Sequence, residues 1–136
     1  MAKLRSFIDT RIDASSYHIE VGKILKNLFP AFTLWQEYSM ETKENKDVSM
    51  YRVDWFIKEL NLAIEVDGQH HYVPINYENN EEKALDDFYK RIALDSVKDK
   101  IATVNGWYIL HIPYWLCQRP DIIRSKILQI LSKEDE

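Results

Sequence analysis

Apolar residues recur at helical spacing in Tyr17, Val21, Ile24, Leu25 and Leu28, the mark of an amphipathic helix. Ser15 or Ser16 stands where a capping hydroxyl is wanted, and Pro30 stops the helix near Phe29. The period then changes. Residues 33–38 alternate as a strand does, the charged run 41–47 reads as a hairpin turn, and residues 50–57 read as a second strand. After a short connection at 58–61 comes a third strand, Leu62–Asp67, broken by Gly68. Residues 72–80, with Pro74 and Asn76, form a polar loop. A long helix is predicted over 81–105, with Leu85, Phe88 and Ile92 as its apolar stripe and Gly106 at its C-terminal end. Residues 107–112 read as a fourth strand stopped by Pro113, and Pro120 opens a last helix that runs to about residue 131.

The order α-β-β-β-α-β-α predicts an α/β fold. Three consecutive strands followed by a helical crossover to a fourth give a mixed four-stranded sheet flanked by helices. Residues 1–14 read as an irregular segment, 15–132 as one domain and 133–136 as an acidic tail. The chain shows no internal repeat, low-complexity stretch or linker.

Composition adds a few bounds. With 136 residues, 46% of them hydrophobic, the chain is long enough to bury a core without cross-links. One cysteine, Cys117, permits neither an intrachain disulfide nor a cysteine-based zinc site, which fits a reducing, cytoplasmic setting. No run approaches the ~20 apolar residues of a membrane span, and the first residues lack the apolar core of a signal peptide. The net charge of −4 argues against a nucleic-acid partner. It does so weakly, because net charge hides local patches.

The chemistry-bearing residues gather in the middle of the chain. In Leu62–Asp67, Ile64 and Val66 point one way, and Glu65 and Asp67 the other. Two carboxylates side by side repel, and a hard divalent cation such as Mg²⁺ relieves that repulsion; the plainer alternative is a solvated strand face. Asp54 sits among strand-forming residues that disfavour aspartate. A tight hairpin through 58–61 brings it towards Glu65 and Asp67, unless it merely pairs with a lysine or arginine. His70 and His71 follow at once, either as acid–base groups or as a polar loop pair. On the long helix Asp95 borders the apolar stripe, with Lys98 and Asp99 close by; a salt bridge from Asp95 to Lys98 or Arg91 is its alternative. Glu20 edges the first helix's stripe, where a solvated glutamate is the ordinary reading. Lys43, Lys46, Arg52, Lys98 and Lys100 are candidate phosphate contacts, and Trp35, Trp55, Trp107 and Trp115 read as core.

The order Asp54, then Glu65-Val66-Asp67-Gly68 closing a strand, then His71, then Asp95 and Lys98 on a helix, then Gly106-Trp107-Tyr108-Ile109-Leu110 resembles a known family. It is similar to the very-short-patch-repair (Vsr-like) branch of the PD-(D/E)XK nucleases and to related homing endonucleases with an E-D-x-H-D signature. The resemblance spans about residues 15–116. It implies a restriction-endonuclease-like fold and a Mg²⁺-dependent DNA endonuclease, with Mn²⁺ as a substitute. It implies Asp54 as the main metal carboxylate and the Val66 carbonyl as a second ligand; Glu65 and Asp67 join the metal group on their side-by-side place on the strand. His71 would be the catalytic histidine tuned by Asp95, and Glu20 the helix glutamate. His70, Asp99 and Lys98 remain auxiliary. Asp67 stands where the family's motif carries lysine, and the cysteine and histidine ligands of the Vsr structural zinc have no counterpart.

DNA is therefore the expected partner, with a homodimer or a second protein supplying specificity and no membrane involved. A non-catalytic nuclease-like binding module and an RNA-directed nuclease are the alternatives.

Overall fold

The computed structural model of the protein describes residues 5–6, 16–40, 51–68, 72 and 80–132. The elements are β1 (Arg5–Ser6), α1 (Ser16–Leu28), β2 (Leu34–Ser39), β3 (Arg52–Ile57), β4 (Leu62–Asp67), α2 (Glu81–Val104), β5 (Tyr108–Pro113) and α3 (Pro120–Ser132). The sheet order is β1-β2-β3-β4-β5. β1 to β4 pair antiparallel, and β5 lies parallel to β4, as a strand reached by a helical crossover must. The expected α/β architecture with a mixed four-stranded sheet is present. The two-residue β1 lengthens it inside a segment expected to be irregular, and Pro113 is the last residue of β5, not the stop beyond it.

Local chemistry sets the boundaries. Asn80 caps α2 by accepting from the Lys83 amide at 3.1 Å, and Glu81 and Glu82 complement the helix dipole. The same helix ends in a Schellman turn. Gly106, at φ 73°, takes the left-handed residue, with Trp107 N donating to Ala102 O at 2.9 Å and Gly106 N to Thr103 O at 3.1 Å. Asn61, at φ 49°, makes the tight corner between β3 and β4.

The helices cover both faces of the sheet. α1 and α3 pack on one face, where Val21, Leu25, Ile123 and Ile127 meet Trp55, Ile57, Leu62, Ile64, Leu110 and Ile112. α2 covers the other, where Ile101 and Ala102 meet Val53, Phe56 and Ala63. α1 lies very close to the sheet, because a Cβ on Gly22 would run into the indole of Trp55. The stripe expected on α2 is not its buried face: Leu85 and Ile92 are exposed, while Ala84, Ile101 and Ala102 are buried. Its C-terminal turns join the core through Ile101 and Ala102, and its first turn buries only the small side chain of Ala84. Among the described residues, no helix is long and apolar enough to cross a membrane.

Candidate active site

Side chains of a regular strand alternate between faces. In β2 and β3 the alternation changes phase at one place. Trp55 and Ile57 face α1 and α3, yet Val53 lies with Phe56 on the α2 side. In the neighbouring strand Gln36 reaches His18 of α1, yet Tyr38 stacks on Phe56. The residues between are Asp54 and Glu37. They fall opposite each other, because Gln36 pairs with Trp55 and Tyr38 with Val53. Glu37 takes a left-handed φ of 51°, a costly backbone conformation that an L-residue holds only where its surroundings impose it.

This break aims Asp54. β3 and β4 are paired from Ile57↔Leu62 to Trp55↔Ile64 and then part. Asp54 fills the opening: its Oδ2 accepts the Val66 amide at 2.7 Å. An extended residue sends its N–H and C=O towards the same edge, so the Val66 carbonyl also faces the side where β3 has left. His18 Nδ1 stands 3.5 Å from Asp54 Oδ1. The far ring nitrogen lies 3.3 Å from Gln36 Nε2. If that amide donates, Nε2 accepts and the imidazole proton sits on Nδ1, facing Asp54. His18 is held in turn by Trp55, whose indole N–H donates to the His18 carbonyl at 2.9 Å while the two rings meet edge to face.

Glu65 and Asp67 occupy the α2 face of β4 and are buried, at 4% and 6% exposure. They are not on an open strand surface. Burial, reinforced by the charge of Asp54, pushes the Glu65 carboxyl up to about 8. Lys98 of α2 answers it, with Nζ 3.4 Å from Glu65 Oε1 and only 15% of its side chain exposed. Asp67 meets His111 of β5, its Oδ2 lying 3.1 Å from Nδ1, and Asp99 Oδ1 stands 3.1 Å from Nε2 of the same ring. Tyr72 also hydrogen-bonds Asp67; burial first, then Asp67, push its hydroxyl up to about 12.

Of the expected site residues, Asp54, Val66, Glu65, Asp67, Lys98 and Asp99 come together. Asp95 is half-buried on α2, and its charge acts on Tyr72. Glu20 is half-buried on α1, and its charge acts on Cys117; the α1 residue at Asp54 is His18. His70 and His71 lie outside the described residues, as do Lys43 and Lys46. Lys98 is paired with Glu65 and largely covered. Trp55 is core, but Trp115 is 57% exposed; it packs against Tyr72 and Tyr114 at the edge of the site.

Sequence reasoning missed His18, Gln36, His111 and Tyr72. Two signals were there to find. His18, Val21 and Leu25 share helical spacing, so the histidine belongs to the buried stripe and Tyr17, 40% exposed, does not. His111 interrupts the apolar strand Ile109-Leu110-His111-Ile112.

Among the described residues no three His, Cys, Asp or Glu side chains stand together as a ready-made metal cluster. The donors at the strand opening are two carboxylates, Asp54 and Glu65, and the Val66 carbonyl. That set fits Mg²⁺, which binds one or two protein carboxylates and otherwise keeps water or phosphate oxygen. In comparisons with known proteins, the chain matches no family model, no curated protein and no solved structure.

Proposed function

We propose that the chain is a metal-dependent endonuclease that hydrolyses phosphodiester bonds of DNA. One observation carries this. Asp54 and Glu65 face each other's charge where β3 and β4 part, with the Val66 carbonyl turned to the same opening. Unlike charges would stabilise such a pair; like charges there call for a cation.

Asp54, Glu65 and the Val66 carbonyl would hold Mg²⁺. The ion, when bound, polarises the phosphate and stabilises the departing oxygen. The chain's own residues do the rest. His18 and the Val66 amide fix the rotamer of Asp54, so the carboxylate needs no reorganisation when substrate arrives. Lys98 holds Glu65 in place and offers positive charge beside it. Asp67 is turned to His111 and Tyr72, and we leave it out of the metal-binding set. His71 remains the proposed acid–base residue, tuned by Asp95. A restriction-endonuclease-like fold and a place in the Vsr-like branch accord with the splayed β3–β4 pair and its acids.

A second reading, a nuclease-like binding module without catalysis, is favoured by the internal cations already placed on Glu65 and Asp67. Cleavage of plasmid, oligonucleotide duplexes and RNA in Mg²⁺ or Mn²⁺ decides between them. Metal-dependent nicking or cutting of DNA, lost in Asp54→Ala, is the expected result. No cleavage and no heat of metal binding would establish the binding module; preferential cutting of RNA would reassign the substrate. Full activity in Asp54→Ala would remove Asp54 from the site.

A further inference from the structure

His111 has no part in that chemistry, yet both of its ring nitrogens are engaged beside the site. It lies on β5 in register with Glu65, on the face covered by α2. Each of its ring nitrogens meets a carboxylate oxygen at 3.1 Å: Nδ1 meets Asp67 of β4, and Nε2 meets Asp99 of α2. An ionised carboxylate only accepts hydrogen bonds. Both contacts are therefore hydrogen bonds only when both nitrogens carry hydrogen, and the ring is an imidazolium. The charge around it agrees. Asp67 and Asp99 touch it, Glu65 faces it across the β4–β5 pair, and Lys98 is committed to Glu65.

We infer that His111 is a positioning residue of this site, a cationic bridge that ties the end of β4 to α2, occupies Asp67 and so keeps that carboxylate away from the metal-binding pair of Asp54 and Glu65. The bridge also sets the height of α2 over the sheet and, through it, the reach of Lys98 to Glu65. With both hydrogens given to carboxylates, His111 has none to deliver, so it is not the acid of the reaction. Its effect on cleavage rests on the nuclease reading; the bridge itself does not.

The first test needs no activity. In ¹⁵N-labelled full chain at pH 7, side-chain NMR should show both His111 nitrogens protonated, the signals being assigned by their loss in His111→Gln. A neutral His111 tautomer at pH 7 overturns the bridge. The second test is Mn²⁺ binding followed by electron paramagnetic resonance. His111→Gln frees Asp67, so Mn²⁺ affinity should rise, and adding Asp67→Asn should return it to the wild-type value. Unchanged affinity in His111→Gln overturns the claim on Asp67. Turnover with Mg²⁺ should drop at least about tenfold in His111→Gln, with KM within about twofold. Should His111→Gln fail to fold by circular dichroism, Asp99→Ala removes one acceptor and should lower turnover in the same way. A wild-type chain that binds no Mn²⁺ and cuts nothing refutes the nuclease reading, while the NMR result still decides the bridge.

Discussion

Asp54 accepts the amide of Val66 at 2.7 Å across the point where their two strands separate. A carboxylate thus does the work that the next rung of the ladder would have done. The backbone group that would otherwise be stranded is satisfied, and the acid is fixed at the edge of an opening beside a second, buried acid.

Removing that carboxylate should therefore act on both stability and activity. Asp54→Ala strands the Val66 amide and is expected to cost about 1–2 kcal/mol and to abolish metal-dependent cleavage. Asp54→Asn keeps an acceptor for the amide, so urea melts should lie close to wild type while cleavage falls at least about a hundredfold. Equal loss of stability in both variants would contradict the hydrogen-bond role.

Glu65 makes stability depend on pH in a definite direction. Its folded value of about 8 lies above the ordinary 4.5. Between those values the unfolded chain releases a proton that the folded chain keeps, so stability is full below about 4.5 and is lost as pH rises through about 8. His111 works in the same sense, its contribution being present below 6.5 and lost as pH rises through about 9. Glu65→Gln cannot ionise. Without divalent cations its melting temperature at pH 8.5 should exceed wild type by about 3–8 °C, and the gap should close at pH 4. Wild type melting higher than Glu65→Gln at pH 8.5 would refute the burial of a like-charged pair.

His18 should behave as the support of Asp54 and not as a packing residue alone. His18→Phe retains the aromatic contact with Trp55 but cannot donate to the carboxylate. We expect turnover to fall about tenfold or more with the fold retained by near-ultraviolet circular dichroism. Restored activity in His18→Asn, which returns a donor, would separate positioning from simple space filling.

Gly22 is where α1 touches the indole of Trp55. Gly22→Ala should cost about 1–3 kcal/mol by overpacking, measurable by chemical denaturation. The paired change Gly22→Ala with Trp55→Phe should recover part of it, since the smaller ring withdraws from the new methyl group. An additive double variant would mean that the two residues do not meet.

Much of this architecture is legible in the residue pattern. Leu62–Asp67 alternates with its acids on one side, and the structure keeps those bounds; the helix starts at Ser16, Glu81 and Pro120 are marked by a capping group, an acidic first turn or a proline. The acids Asp54, Glu65 and Asp67 are visible as oddities among apolar neighbours. Their partners are not. Lys98 and Asp99 come from a helix about 30 residues further along the chain, and His111 from the strand after it, so sequence distance says nothing of their meeting.

The local code thus settled which segments are helix or strand and which carboxylates lie near the end of β4, because period, caps and chain breakers act over a few residues. Two things were left to the tertiary structure. One is the phase change at Glu37 and Asp54, which needs two strands side by side and decides that Asp54 meets Val66 and His18 and does not follow its strand's alternation. The other is the pairing of charges beneath α2. Burial makes each carboxylate there take a definite partner, Lys98 for Glu65 and His111 for Asp67, and burial exists only once helix and sheet have come together.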